Sequence, residues 1–214
     1  MKKYRISSVI LLFLFVFTGC SSLPRVLFAT HDPLTAEEHN NLGVAYEKEG
    51  KYELALREYK KALDMDDDLI VPSVNMGNVF SKRREYEKAE ESYLKALKKD
   101  EKNIEAANNL ASIYIELNKD YEKGLQYLTR ATDSLDPIPA YALDTLGVLY
   151  LRLGEKSKAK EMLEKACLRA DDEALLKEIE THLLELGEEG CTNKLNETSG
   201  STRKASVSFL LLKM

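Results

Sequence analysis

The chain has 214 residues, of which 44% are hydrophobic and 31% charged; its formal net charge is −5 and it contains no tryptophan. That balance fits one helical array once the N-terminus is set aside. The lysines are interleaved with glutamates, so the basic runs of a nucleic-acid-binding surface are absent and no nucleic-acid partner is expected.

Residues 1–20 read MKKYRISSVILLFLFVFTGC, with Lys2, Lys3 and Arg5 ahead of an apolar run over 9–17. This is the layout of a secretory signal, and the run is too short for a spanning helix. Its end, Phe17-Thr18-Gly19-Cys20, resembles the lipobox of bacterial lipoproteins, with Phe17 where that family usually has leucine. The resemblance implies removal of 1–19, acylation of Cys20 and a stable anchor made of several acyl chains. Ser21 then favours the outer membrane, with the protein facing the periplasm. An ordinary signal peptide that leaves a soluble secreted protein is the alternative. Residues 20–35 form a tether in which Pro24 and Pro33 discourage helix.

From Ala36 onward one pattern recurs four times. Leu42-Gly43, Met76-Gly77, Leu110-Ala111 and Leu146-Gly147 fill one slot at spacings of 34, 34 and 36 residues. An aromatic follows three residues after each small one (Tyr46, Phe80, Tyr114, Tyr150), then a second small residue (Ala55, Ala89, Gly124, Ala159). Tyr59, Tyr93, Leu128 and Leu163 come next, followed by Ala62, Ala96, Ala131 and Ala166. This order resembles the tetratricopeptide repeat, a helix-turn-helix unit of about 34 residues. It implies an all-α, right-handed solenoid. Small residues let two antiparallel helices approach closely, and a single hairpin cannot bury both of its apolar faces, so neighbours must stack on it.

The repeats are placed at 36–69, 70–103, 104–139 and 140–173. Thr35 and Glu38 form a capping box before the first helix, and Gly50 suits a left-handed turn position after it. Arg84 and Asn118 stand at the same turn in repeats two and three. The third repeat is irregular, with one residue inserted near Asp120 and another at Asp136-Pro137-Ile138-Pro139. Over 174–187, Leu176, Ile179, Leu183 and Leu186 share one side of an amphipathic helix placed to cap the stack. His182 beside that stripe reads as a surface residue. The tail, 188–214, reads as disordered. Cys191 falls in it, and its spacing from Cys167 permits a disulfide in an oxidising compartment without establishing one.

In tetratricopeptide arrays the first helices of successive repeats line a concave groove that holds a peptide or a partner helix. Carried over by position, that groove would be lined by Asn40, Val44 and Glu47 from repeat one and by Val74, Asn78 and Ser81 from repeat two. Repeat three would add Asn108, Ser112 and Ile115; repeat four would add Tyr141, Asp144, Val148 and Leu151. Asn78 and Asn108 would bond a peptide backbone in both directions, since an amide is both donor and acceptor. Asn41, Asn75 and Asn109 recur at one slot and are read as part of the repeat itself. The carboxylate clamp of one subfamily is broken here, with Asn40, Val74, Glu105 and Tyr141 at its basic positions.

No phosphate loop, HExxH motif or nucleophile elbow occurs, and the three histidines are far apart, so an enzyme is not expected and neither is a cofactor or metal. The function expected is a non-catalytic, lipid-anchored adaptor that binds protein partners in the bacterial cell envelope. Pilus or secretin assembly and recruitment of peptidoglycan enzymes are examples. The alternative is an accessory that delivers substrate to an export or peptide-processing enzyme. Self-association through incompletely capped ends stays open.

Overall fold

The computed structural model describes residues 32–191. The signal sequence, Cys20, the residues before Asp32 and those after Cys191 lie outside the described residues. The chain divides into two compact units, Met1–Leu34 and Thr35–Met214. Of the first, only the last three residues are described; there the Leu34 N–H donates to the Asp32 carboxylate at 3.2 Å.

The second unit is all-α among its described residues. Four helix pairs follow one another: α1 (Ala36–Lys48) with α2 (Tyr52–Met65), α3 (Val71–Lys82) with α4 (Tyr86–Lys99), α5 (Ile104–Glu116) with α6 (Tyr121–Thr132), and α7 (Ala140–Arg152) with α8 (Lys156–Arg169). A ninth helix, α9 (Glu173–Leu186), follows and is the last of these helices among the described residues. The first helices touch in series, α1 to α3 to α5 to α7 to α9, and each second helix packs between its own partner and the next first helix. Thus α9 extends the row of first helices by one.

Local chemistry sets the ends. The Glu38 N–H donates to Thr35 Oγ1 while the Glu38 carboxylate accepts from the Thr35 N–H at 2.7 Å, which closes the capping box. Asn103 caps α5 and Asp172 caps α9, each accepting from N–H groups that have no partner within the helix. Pro72 falls in the first turn of α3, where a missing N–H is harmless. The turn inside every pair uses one left-handed residue, Gly50, Arg84, Asn118 and Gly154, with φ of 72°, 60°, 49° and 79°. The inserted Asp120 is left-handed as well, and the loop before α7 contains a cis Asp136–Pro137 bond.

The core runs along the array between the two helix rows. Tyr59, Tyr93, Leu128 and Leu163 are fully buried at one slot of the second helices, over Ala62, Ala96, Ala131 and Ala166. Repeat three reverses its small pair: Ala111 stands on the first helix and Gly124 on the second, where the other repeats have glycine and then alanine. A Cβ on Gly124 would meet the Ala111 Cα at 3.4 Å, so the approach stays close with the missing methyl moved across the interface. At the far end Ile179 and Leu183 of α9 are buried against Leu143, Leu163 and Ala166.

Cys191 belongs to that cluster and is no part of a polar tail. It is buried and bonded to Cys167, 24 residues earlier. The disulfide ties the segment after α9 back to α8.

Candidate partner-binding cleft

The row of first helices carries a network of side-chain amides. Asn75 Nδ2 donates to Asn40 Oδ1 at 3.0 Å, joining α3 to α1. Asn109 Nδ2 donates to Asn78 Oδ1 at 2.8 Å, joining α5 to α3. Tyr93 reaches through from α4 and gives its hydroxyl to the same Asn78 oxygen at 2.7 Å. Asn78 Nδ2 in turn donates to Glu105 at 3.2 Å. The carboxamide oxygen of Asn78 and one of its two N–H donors are therefore engaged within the array, so its amide is largely committed before a peptide backbone arrives. Burial is the largest influence on the Tyr93 phenol and pushes its pKa far up, so the hydroxyl remains a donor.

Repeat one builds the corresponding corner with charge. Glu47 accepts from the Tyr59 hydroxyl at 2.7 Å and pairs with Lys82 of α3 at 2.6 Å. Its side chain is only 13% exposed, so the ion pair carries more weight than a free surface pair.

A cleft of about 430 Å³ opens between α3 and α5. Asn78, Ser81 and Ser112, all placed on the groove by sequence, line it together with Lys82, Tyr86, Tyr93, Asn109, Ile113 and Glu116. Ser112 is exposed at its edge, its hydroxyl donating to the Asn108 carbonyl at 3.0 Å. Tyr86 donates to Glu116 at 3.3 Å across the cleft. The lining thus offers hydroxyls, amides, one cation and one carboxylate around Ile113. That suits a polypeptide main chain more than a small apolar molecule. A larger depression of about 510 Å³ runs along α6, bordered by Tyr150. Nearly all of its lining comes from that one helix, so it is a trough on the second-helix side.

The remaining predicted groove residues divide. Asn40, Val44, Ile115 and Leu151 are half-buried, and Tyr141 is 40% exposed. Asn108 is half-buried with its carboxamide oxygen inside and without a hydrogen-bond partner among the described residues. Three residues do not line a groove. Val74 is 3% exposed and belongs to the central core, because its slot faces the neighbouring first helix. Asp144 and Val148 are 5% and 4% exposed. Helix α9 packs on α7, and Asp144 is bonded to His182 of α9 at 2.7 Å, with Val148 one turn further along the same face. His182, expected at the surface, is for the same reason mostly enclosed.

Sequence reasoning missed Lys82, Tyr86 and Glu116 as cleft residues. It assigned Tyr93 and Asn109 to packing alone. The signal that pointed to the last two was the repetition of tyrosine and asparagine at their slots. What periodicity leaves out is how far a tyrosine hydroxyl reaches past the core.

Paired helices repeated in register, with their first helices forming a row that bears a polar cleft, define a helix-turn-helix repeat array. Tetratricopeptide-repeat profiles match residues 36–69, 74–137 and 140–172, together well over half of the chain. The chain belongs to the tetratricopeptide repeat family. No curated protein sequence matches it. Among solved structures it is similar to PilF of Pseudomonas aeruginosa, at 26% identity and a TM-score of 0.61 over 70% of this chain and 68% of that one. It is similar in fold to PilW, described as a widely conserved type IV pilus biogenesis factor (19% identity, TM-score 0.63, 72% of this chain and 70% of that one). YrrB, described as having an unusual peptide-binding site, matches at 19% identity and a TM-score of 0.58 over 84% of this chain and 92% of that one.

Proposed function

We propose that this chain is a non-catalytic adaptor of the bacterial cell envelope, acylated at Cys20 and held at the outer membrane facing the periplasm. It takes an extended segment of a protein partner in the cleft between α3 and α5. The observation that carries this reading is the cleft itself, where two first helices present Ser81, Ser112 and Asn109 beside Lys82 and Glu116. Such groups satisfy the donors and acceptors of a peptide main chain, which would otherwise lose water without replacement. The likeness to PilF and the lipobox-like end of the signal sequence support the envelope setting. Tyr141 and Leu151 extend the same row and supply apolar contact at its far end.

The test has two parts. Feeding cells an alkyne-tagged palmitate labels the protein, and Cys20→Ala abolishes the label. Membrane-extracted protein crosslinked in its own cells carries one or two envelope proteins, and Ser81→Arg with Ser112→Arg removes them while the array stays folded. An unlabelled protein refutes the anchor; partner recovery that survives both arginines refutes the cleft.

A further inference from the structure

The last junction of the array differs in charge from the first two. Asn40 and Asn78 each accept from an asparagine of the following first helix, the Glu47–Lys82 pair beside the first junction joins opposite charges, and Glu105 accepts from Asn78 at the second. Where α7 meets α9 the facing groups are ionisable. Asp144 Oδ1 lies 2.7 Å from His182 Nδ1, with side chains only 7% and 20% exposed. One turn before His182 on α9 stands Glu178, and one ligand atom from each of Asp144, Glu178 and His182 falls within 4.8 Å of the others.

A neutral amide pair would hold α9 here as it holds α3 and α5. Instead two carboxylates converge on one imidazole, and one of them is buried. With His182 protonated the buried Asp144 is balanced, but the exposed Glu178 brings a further carboxylate to the same imidazole, so the trio keeps a net negative charge that a further cation would offset. Glu185 also faces His182, but its carboxylate is engaged by Arg152. No lysine or arginine is paired with Asp144 or Glu178 among the described residues.

We propose that Asp144, Glu178 and His182 form a site for a divalent transition-metal ion that clips α9 to α7. The ion replaces the proton shared by His182 and Asp144, which leaves to solvent, and its two charges balance those of the carboxylates with the imidazole neutral. One nitrogen and two oxygen ligands suit zinc and its neighbours, whereas calcium and magnesium prefer all-oxygen shells. At metal–ligand distances of about 2.0–2.1 Å, two ligands of a tetrahedral ion stand about 3.3 Å apart, so Asp144 and His182 need to separate by only about half an ångström. Glu178 is exposed, which leaves the solvent side open for entry and for water to complete the shell.

The full chain carrying Cys20→Ala, stripped with EDTA and with the Cys167–Cys191 bond intact so that no thiol competes, is titrated calorimetrically with zinc chloride at slightly alkaline pH. One zinc ion binds per chain, and Asp144→Asn, Glu178→Gln and His182→Gln each weaken it at least tenfold. Zinc also slows proteolysis within α9, and calcium does neither. Glu178→Gln alters an exposed side chain, so its loss of binding is not a loss of fold, which circular dichroism confirms. Equal zinc affinity in this parent chain and all three variants, no uptake up to millimolar zinc, or equal binding of calcium overturns the assignment.

Discussion

Gly43 lies against the ring of Tyr59 so closely that a Cβ on it would stand 2.5 Å from Tyr59 Cε1. The ring cannot swing aside freely, because its hydroxyl is bonded to Glu47 at 2.7 Å. Gly77 stands in the same relation to Tyr93, at 2.4 Å. Alanine at either position gains about 1 kcal/mol of helix propensity over glycine. Overpacking of this severity costs up to about 3 kcal/mol, so Gly43→Ala and Gly77→Ala each destabilise by about 1–2 kcal/mol net, read as a lower midpoint in urea. An unchanged or higher midpoint contradicts this packing.

The opposite sign is expected at the turns. Arg84 is exposed and left-handed, with φ of 60°, a conformation that disfavours a residue with a Cβ by about 1–2 kcal/mol. Glycine relieves that and forfeits part of the gain through its freer unfolded chain. Arg84→Gly therefore raises stability by about 0.5–1 kcal/mol, while Asn118→Gly changes little because asparagine tolerates this region. Denaturant midpoints of the two variants check the contrast.

Asn78 and Ser112 line one cleft and predict different things. Asn78→Ala strips the acceptor from both Tyr93 and Asn109, and orphaned buried donors cost about 1–3 kcal/mol. Ser112→Arg fills an exposed edge and leaves stability within about 0.5 kcal/mol. Thermal melts separate the two, and only the second variant reports cleanly on partner binding.

His182 makes the end of the array pH-sensitive in metal-free protein. Burial, the largest influence, lowers its pKa, but the bond to Asp144 and the charges of Asp144, Glu178 and Glu185 outweigh it and the net shift is upward. A group whose folded pKa is raised contributes its full stabilisation below the unfolded value of about 6.5 and loses it as pH rises through the folded value. In EDTA, protection factors in α9, taken relative to the base-catalysed intrinsic exchange rate at each pH, are therefore larger at pH 6 than at pH 8, and Asp144→Asn flattens the difference. Equal protection factors at both values contradict the ion pair.

The Cys167–Cys191 bond closes a loop of 24 residues. Restricting the unfolded chain over such a loop is worth about 3 kcal/mol. Replacing both cysteines by serine should speed tryptic cleavage within α9 strongly and within α1 hardly at all, since local opening follows local stability. Uniform acceleration across the chain contradicts a local clip.

Much of the fold was legible because each slot of the repeat demands one kind of side chain. Glycine or alanine marks close approach, tyrosine or leucine marks the space left over, and a left-handed turn residue marks the bend. The cleft was only partly legible. Period assigns a residue to a helix face, but whether that face stays open depends on what packs against it, and this is why Val74, Asp144 and Val148 proved buried. The cysteine pair and the Asp144–His182 junction depend on how α9 folds back, which spacing does not encode.

The most direct measurement places a photo-crosslinking amino acid at Ser112 on the cleft and, separately, at the exposed Thr129 on α6, and irradiates living cells. A partner seated in the cleft gives adducts to an envelope protein from position 112 and none from 129. Adducts from 129 alone, or from 112 only to further copies of this chain, would contradict that seating.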